Sequence, residues 1–375
     1  MCGRRITRPH TRGFVLKRVS RVHGTAHTLA LAGVDVLIGE DHVPRILEVN
    51  DHPSGWTLLP SVFERFVELL QVEAGGDAAA IVLPECFRVA TKTRVSWSDV
   101  APTVPDAEDL RTTRALEEIN KLRGALEERG IDTLITDGPS LAAVSSLVKF
   151  GVIFDRSDRD VHMIGATIVN PAARSICADK LSMYSTLRRA DPAMPATEPF
   201  TISDASELRP FAPSTVVVWK PRFGGGSVGV TRGAFLDVPP TVSHDLIVER
   251  WVKPATVMMQ DREYHVDLRV FVVGGIAVGT VIRRASAPIE LVSSPLGWLT
   301  TTGPVIAEPF LQAGISPSLA VAIRHASTVA ERAVAVVNQE LLNPLAYSRR
   351  AAGVFGARNV IDEPLRIVEV APLPT

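Results

Sequence analysis

Lys220 ends an apolar, β-branched run in "VVVWKPRFGGGSVGV", and Gly224, Gly225, Gly226 and Gly229 follow it closely. Glycines let backbone N–H groups approach a phosphate without Cβ interference, and an ammonium at the base of the loop adds a point charge. Lys220, the glycines and Ser227 could therefore hold a polyphosphate; the alternative is a purely structural hairpin loop. The pattern is not GxxxxGK[ST], and no GxGxxG opens a helix here. Asp267 and Arg269 point to one side of their strand in "EYHVDLRVFVVGGIAVGTVIRRAS", as alternate residues do. Arg283 and Arg284 end the partner strand and could neutralise a phosphate or carboxylate; the alternative is a solvated cross-strand ion pair. Glu249 and Arg250 interrupt the apolar "IVERWV", which fits either an edge strand or the wall of a ligand slot. Asp35, Glu48 and Asn50 lie on two adjacent strands and offer hard oxygens suited to Mg²⁺ with substrate phosphates and water. The alternative for them is the solvent face of a hairpin.

One phrase occurs twice. "RILEVNDHPSGW" runs from Arg45 to Trp56, and "RIVEVAPLP" from Arg366 to Pro374. The first follows Glu48 with Asn50; the second follows Glu369 with Ala371.

The elements that must position these residues can be read from periodicity. Residues 17–32 are helix-compatible and lead to the strand "GVDVLIG", the charged turn "EDHVP" and the strand "RILEVN". "LPSVFERFVELLQVEA" has apolar residues at helical spacing, and "GGD" at Gly75–Asp77 marks a boundary before the strand "AAAIVLP". A helix at "LRTTRALEEINKLRGALEERG", a strand at "IDTLITDG" and a helix at "SLAAVSSLVKFG" follow, so this part reads as an α/β layer with parallel strands. Beyond residue 170 short strands separated by turns dominate, with a tight "GG" turn at Gly274–Gly275 and a long helix at "SLAVAIRHASTVAERAVAVVNQELL" before a last hairpin.

The totals narrow the class. A chain of 375 residues fits two or three domains, and 46% apolar with 22% charged residues is an ordinary globular composition. The net charge of −1 gives no general electrostatic pull toward nucleic acid or an anionic membrane. Cys2, Cys86 and Cys177 are odd in number and widely spaced, which suits a reducing, cytoplasmic setting. No apolar run reaches the roughly 18 residues of a membrane helix, and the first residues lack the apolar segment of a signal peptide. Cys86 reads as a buried structural thiol. His23, His27, His42, His244 and His265 have no spacing that makes a metal site.

Taken in order, these segments resemble the ATP-grasp superfamily, especially its carboxylate–amine ligases such as glutathione synthetases and ribosomal-protein glutamate ligases. The resemblance covers roughly residues 165–375 and, separately, 17–56. "ADKLSMYSTLRRA" with the following "PAMPATEPF" is similar to the family's linker, and "VVVWKPRFGGGSVGV" to its phosphate-covering loop. "IVERWV" resembles the adenine-binding strand, and "DLRVFVVGG" with "VIRRAS" the central hairpin. The resemblance implies an α+β ATP-grasp fold, two subdomains gripping ATP, preceded by an α/β domain. The implied units are 1–74 (helix and metal hairpin), 75–170 (α/β substrate domain) and 171–375 (grasp domain).

By the same resemblance Lys180 and Lys220 would contact the ATP phosphates, with Gly224, Gly225, Gly226 and Ser227 closing over them. Glu249, Arg250, Trp251 and Val252 would line the adenine site, and Asp267 would hold the ribose. Arg269, Arg283 and Arg284 would act on the transferred phosphoryl group or the substrate carboxylate, and Asp35, Glu48, Asn50 and Glu369 would hold Mg²⁺. The implied reaction joins a small carboxylate to an amine through an acyl phosphate, with no nucleic-acid or membrane partner. The metal hairpin stands at the wrong end of the chain. Either it packs into the grasp site, in its own subunit or across an exchanged homodimer, or it is the remnant of a lost repeat. "PIELVSSPLGWLTTTG" also lacks the family's polar Asn–Gly–Gly segment, and Ala371 stands where the resemblance expects the metal-binding Asn. The alternatives are a small-molecule kinase, as some enzymes of this fold are, and, suggested by Ala371, a non-catalytic nucleotide-binding subunit.

Overall fold

His27–Thr28 pairs in one sheet, and Leu31 already begins a strand of another. The computed structural model describes residues 27–53, 55–83, 107–157, 161, 163, 165–170, 176–194, 199–201, 211–223, 230–238, 246–259, 262–284 and 315–341. In chain order its elements begin with β1 (His27–Thr28), β2 (Leu31–Ile38), β3 (Pro44–Asn50) and α1 (Pro60–Ala74). Next come β4 (Ala78–Val82), α2 (Ala107–Glu128), β5 (Thr133–Thr136), α3 (Gly138–Val144), β6 (Phe150–Asp155) and β7 (Thr167–Val169). The second half carries α4 (Lys180–Ala190), β8 (Pro199–Thr201), β9 (Val216–Pro221), β10 (Thr231–Ala234) and β11 (Leu246–Arg250). It closes with β12 (Thr256–Met259), β13 (Arg262–Val273), β14 (Ile276–Arg284) and α5 (Pro317–Leu341). The chain is a mixed α/β protein.

The first sheet is wholly parallel, in the order β1-β7-β6-β4-β5, which bears out the strand–helix alternation. The described part of the predicted 17–32 helix is instead β1 and the start of β2. Leu29 to Ala32 are buried to within 1% of full coverage, and pairing to two sheets overrides the helix preference of an Ala/Leu-rich run. Residues 17–26 lie outside the described residues. The helix expected through Gly151 stops at Val144, because Phe150 and Gly151 belong to β6. Gly151 lies under the end of α1, where a Cβ would meet the Ala74 carbonyl oxygen at 2.0 Å.

The second sheet is antiparallel: β3–β2–β13–β14, with β12 continuing the line of β2 along the first half of β13. Its two faces have different chemistry. Val34, Val36, Leu268, Val270 and Val272 turn to one side and bury against Ala326, Val329, Ala330 and Ala333 of α5. On the other side Leu31, Phe271, Val273 and Val281 pack with Val62, Phe66 and Leu70 of α1, whose apolar stripe also meets Ile81 and Phe154 of the parallel sheet. Beyond Gly33 that same face turns charged. The period-2 alternation continues, but Asp35, Asp267, Arg269 and Arg283 now occupy the positions.

The third sheet, β10-β9-β11-β8, is antiparallel and small. Val217, Trp219 and Val248 form its own apolar cluster with Phe211 and Val238, while Ile247 faces the larger core that contains Met183 and Tyr184 of α4. Lys220 and Glu249 alternate onto that second side. Among the described residues no helix is long and apolar enough to cross a membrane.

Candidate functional site

Across the charged half-face, strand register sets the pairs. Arg269 is opposite Asp35, Asp35 opposite Glu48, and Asp267 opposite Arg283. Arg269 donates from Nε to Asp35 Oδ1 at 2.8 Å and from Nη2 to Oδ2 at 2.9 Å. Arg283 forks Asp267 at 2.6 and 2.8 Å and gives its remaining nitrogen to Asp35 Oδ2 at 3.1 Å. The Asn50 amide nitrogen lies 3.5 Å from Asp35 Oδ2. The N-terminal hairpin thus meets the central hairpin within one chain.

Helix α4 brings Lys180 to this face, and β9, pinned to the start of that helix, brings Lys220. Asp179 caps it, accepting from the N–H groups of Leu181 and Ser182, and Arg222 forks the same carboxylate at 2.7 and 2.5 Å. The Lys180 backbone N–H donates to the Arg222 carbonyl at 3.2 Å, so the start of α4 is pinned to the end of β9. Lys180 Nζ stands 4.0 Å from Glu48 Oε1, and Lys220 Nζ stands 2.7 Å from Glu249 Oε1. Tyr184 lies between them: its hydroxyl accepts from Lys220 Nζ at 3.2 Å and donates to the Leu47 carbonyl. Met183 Sδ accepts from the Val49 N–H at 3.1 Å. The outer edge of β3 is therefore covered by two side chains of α4 instead of a further strand.

The charges balance. Arg269, Arg283, Lys180 and Lys220 face Asp35, Asp267, Glu48 and Glu249, and nearly all are buried. Burial alone would raise the Asp35 carboxyl, but the charges and hydrogen bonds of Arg269 and Arg283 outweigh it and hold Asp35 below the usual range. Glu48 goes the other way: burial, then the Asp35 charge, push it up, against the pull of Lys180. Burial pushes Lys180 down. For Lys220 burial is outweighed by Glu249, and its ammonium is held above the ordinary lysine range.

A divalent ion fits part of the expected set. Asp35 is engaged by two guanidinium groups, and among the described residues no group of three His, Cys, Asp or Glu side chains gathers to hold a metal. Glu48 is 21% exposed at its side chain, and Asn50 turns its amide nitrogen to Asp35, leaving Oδ1 for other partners. One carboxylate and one amide oxygen suit a Mg²⁺ that also takes phosphate and water.

The other expected residues divide. Lys180, Lys220, Glu249, Asp267, Arg269 and Arg283 converge with Asp35, Glu48 and Asn50. Arg250 does not; its guanidinium stacks 5.5 Å from the Phe211 ring, on the side of the small sheet's own core. Trp251 lies beside His265 and under Arg232, and Val252 is half-buried by Gly39. Arg284 pairs in register with Val266, one residue out of phase with Arg283. Gly224, Gly225, Gly226, Ser227, Gly229, Glu369 and the segment after Ala285 lie outside the described residues. Sequence reasoning took Asp179 only as part of the linker phrase and missed Tyr184 and Arg222. Asp179 carried a signal, an Asp ahead of a helical run, whereas Tyr184 reads as one more apolar position.

The chain matches no protein-family model, and no curated protein matches it. Among solved structures it resembles one from Methylobacillus flagellatus KT described as a "Putative gamma-glutamylcysteine synthetase", with 10% identity and a TM-score of 0.47 over 86% of this chain and 91% of that one. At that TM-score the likeness assigns no residue a role.

Proposed function

We propose that the protein is an ATP-dependent carboxylate–amine ligase of ATP-grasp build, activating a small carboxylate as an acyl phosphate and releasing ADP and phosphate. The observation that carries this reading is the meeting of four separate segments around one charged face: Glu48 and Asn50 on β3, Lys180 on α4, Lys220 on β9, and Arg269 and Arg283 on the β13–β14 hairpin. A transferred phosphoryl group needs positioning and charge neutralisation more than a protein nucleophile, and buried, oriented cations supply both.

In this reading Lys180 and Lys220 neutralise the nucleotide phosphates, and Glu249 holds Lys220 in place. Arg283 and Arg269 attract the carboxylate and the phosphoryl oxygens as these displace part of their bonds to Asp35. Asp35 and Asp267 keep the two guanidinium planes oriented. Glu48 and Asn50 would hold Mg²⁺, which when bound neutralises phosphate charge.

The test is calorimetric binding of ATP with and without Mg²⁺, comparing wild type with the double change Glu48→Ala, Asn50→Ala, followed by a search for ADP release with pooled carboxylates and amines. Loss of the magnesium-dependent part in the variant is the expected result. Unchanged binding would remove the hairpin from the site. ADP release with a phosphorylated product and no amide would favour the kinase reading, and magnesium-dependent binding without turnover the non-catalytic one.

A further inference from the structure

We propose that Tyr184 is a positioning residue that fixes Lys220 against the strand carrying Glu48, so that α4 acts as a bracket between the two halves of the site. The inference rests on the nucleotide reading above and adds a residue to it.

The argument starts from what a phenol can do. Tyr184 is 1% exposed and sits in the core with Met183, Leu187 and Ile247, where a phenylalanine would fill the same space. A buried hydroxyl is costly unless it is bonded, so its placement calls for partners. Its partners fix the direction of both bonds. A lysine ammonium only donates and a carbonyl only accepts, so Tyr184 accepts a hydrogen bond from Lys220 and donates one to the Leu47 carbonyl. The Lys220 ammonium has three N–H groups. One is given to Tyr184, and the ammonium also forms an ion pair with Glu249 at 2.7 Å, so two neighbours hold its position.

The same helix makes parallel connections on both sides. Toward β9 it has the Asp179–Arg222 fork and the Lys180 N–H bond to the Arg222 carbonyl. Toward β3 it has Met183 on the Val49 N–H and Lys180 near Glu48. Tyr184 is the one of these side chains whose single oxygen touches both: the phosphate-side lysine and the peptide immediately before Glu48. Lys220 and Glu48 belong to different sheets, and the phenol oxygen sets their spacing.

The experiment is MgATP binding by calorimetry on wild type, Tyr184→Phe, Lys220→Met and the double variant. The expected result is about a tenfold weakening by Tyr184→Phe in wild type, the size of one charge-assisted hydrogen bond, and almost none on the Lys220→Met background. Equal losses in both backgrounds would make Tyr184 merely structural and overturn the inference while leaving nucleotide binding intact. A wild-type protein that binds no nucleotide would overturn the nucleotide reading and this inference with it. If Tyr184→Phe does not fold, 3-fluorotyrosine labelling serves, since the chain has only three tyrosines. The Tyr184 ¹⁹F resonance should then shift on Lys220→Met without nucleotide, and an unmoved resonance would overturn the inference.

Discussion

Arg269 of β13 closes a two-bond fork on Asp35 of β2, although 234 residues separate them in sequence. Their Cα atoms are register partners, so the fork is a consequence of how the N-terminal hairpin pairs with the central one. Shifting β2 by one residue would send Asp35 toward α5 and Val34 or Val36 into the charged face. The ion pair and the apolar seam against α5 therefore specify the same register.

Asp35→Ala should be severe. It would leave the Arg269 guanidinium buried and Arg283 with one partner fewer, and breaking a buried pair from one side costs about 3–5 kcal/mol. Urea unfolding of Asp35→Ala against wild type measures this. A loss of about 1 kcal/mol or less, the range of exposed pairs, would show that both arginines simply turn to water.

Asn170 is a second point of concentrated cost. Fully buried at the end of β7, it accepts from the N–H groups of Ala30 and Leu31 and donates to the carbonyls of Leu31 and Asp51. It thus ties the parallel sheet to both strands of the hairpin. Asn170→Ala would strand several backbone groups at about 1–3 kcal/mol each, so a loss of at least ~3 kcal/mol is expected in the same unfolding assay. Asn170→Asp keeps the acceptor but sets a buried carboxylate oxygen against the carbonyls of Leu31 and Asp51, so at neutral pH it should cost at least as much as Asn170→Ala. Equal stability of all three would refute the knot.

Gly33 gives a prediction about space. A Cβ there would lie 2.6 Å from the Pro53 side chain and 3.3 Å from Cδ of Arg269. Gly33→Ala should displace both, costing about 1–3 kcal/mol as overpacking does, and should loosen the Arg269 fork. Thermal unfolding reads the first effect. Weaker MgATP binding by calorimetry reads the second.

How much of this was visible in sequence depends on range. The hairpin "GVDVLIG…RILEVN", helix α1 and the β13–β14 hairpin all carry local periodicity, and each forms as its pattern requires. The charged residues could be picked out because they interrupt apolar strands. What periodicity lacks is partners. Nothing near Asp35 indicates that its opposite number is Arg269, and Tyr184 looks like core because its ring is core. Residues 27–32 misled for the converse reason: their composition suits a helix, but β7 and β13 supply distant pairing. Asn170 gave no local cue, since its bonds reach 119 to 140 residues away.

Glu48 should make the metal response depend on pH. Burial and the neighbouring Asp35 charge raise its carboxyl above the ordinary value of 4.5. A carboxyl raised in the folded state binds its proton more tightly there than in the unfolded chain, so it favours folding at low pH. That contribution is lost as pH climbs through the raised value. Metal binding runs against the proton, because the ligand must be ionised. Magnesium-dependent ATP binding should therefore weaken on acidification before an ordinary glutamate would titrate, and Mg²⁺ should release protons near that pH. Calorimetry in two buffers of different ionisation enthalpy counts the protons directly. Glu48→Gln should remove both the proton release and the magnesium dependence; proton release that persists in the variant would assign the metal to another carboxylate.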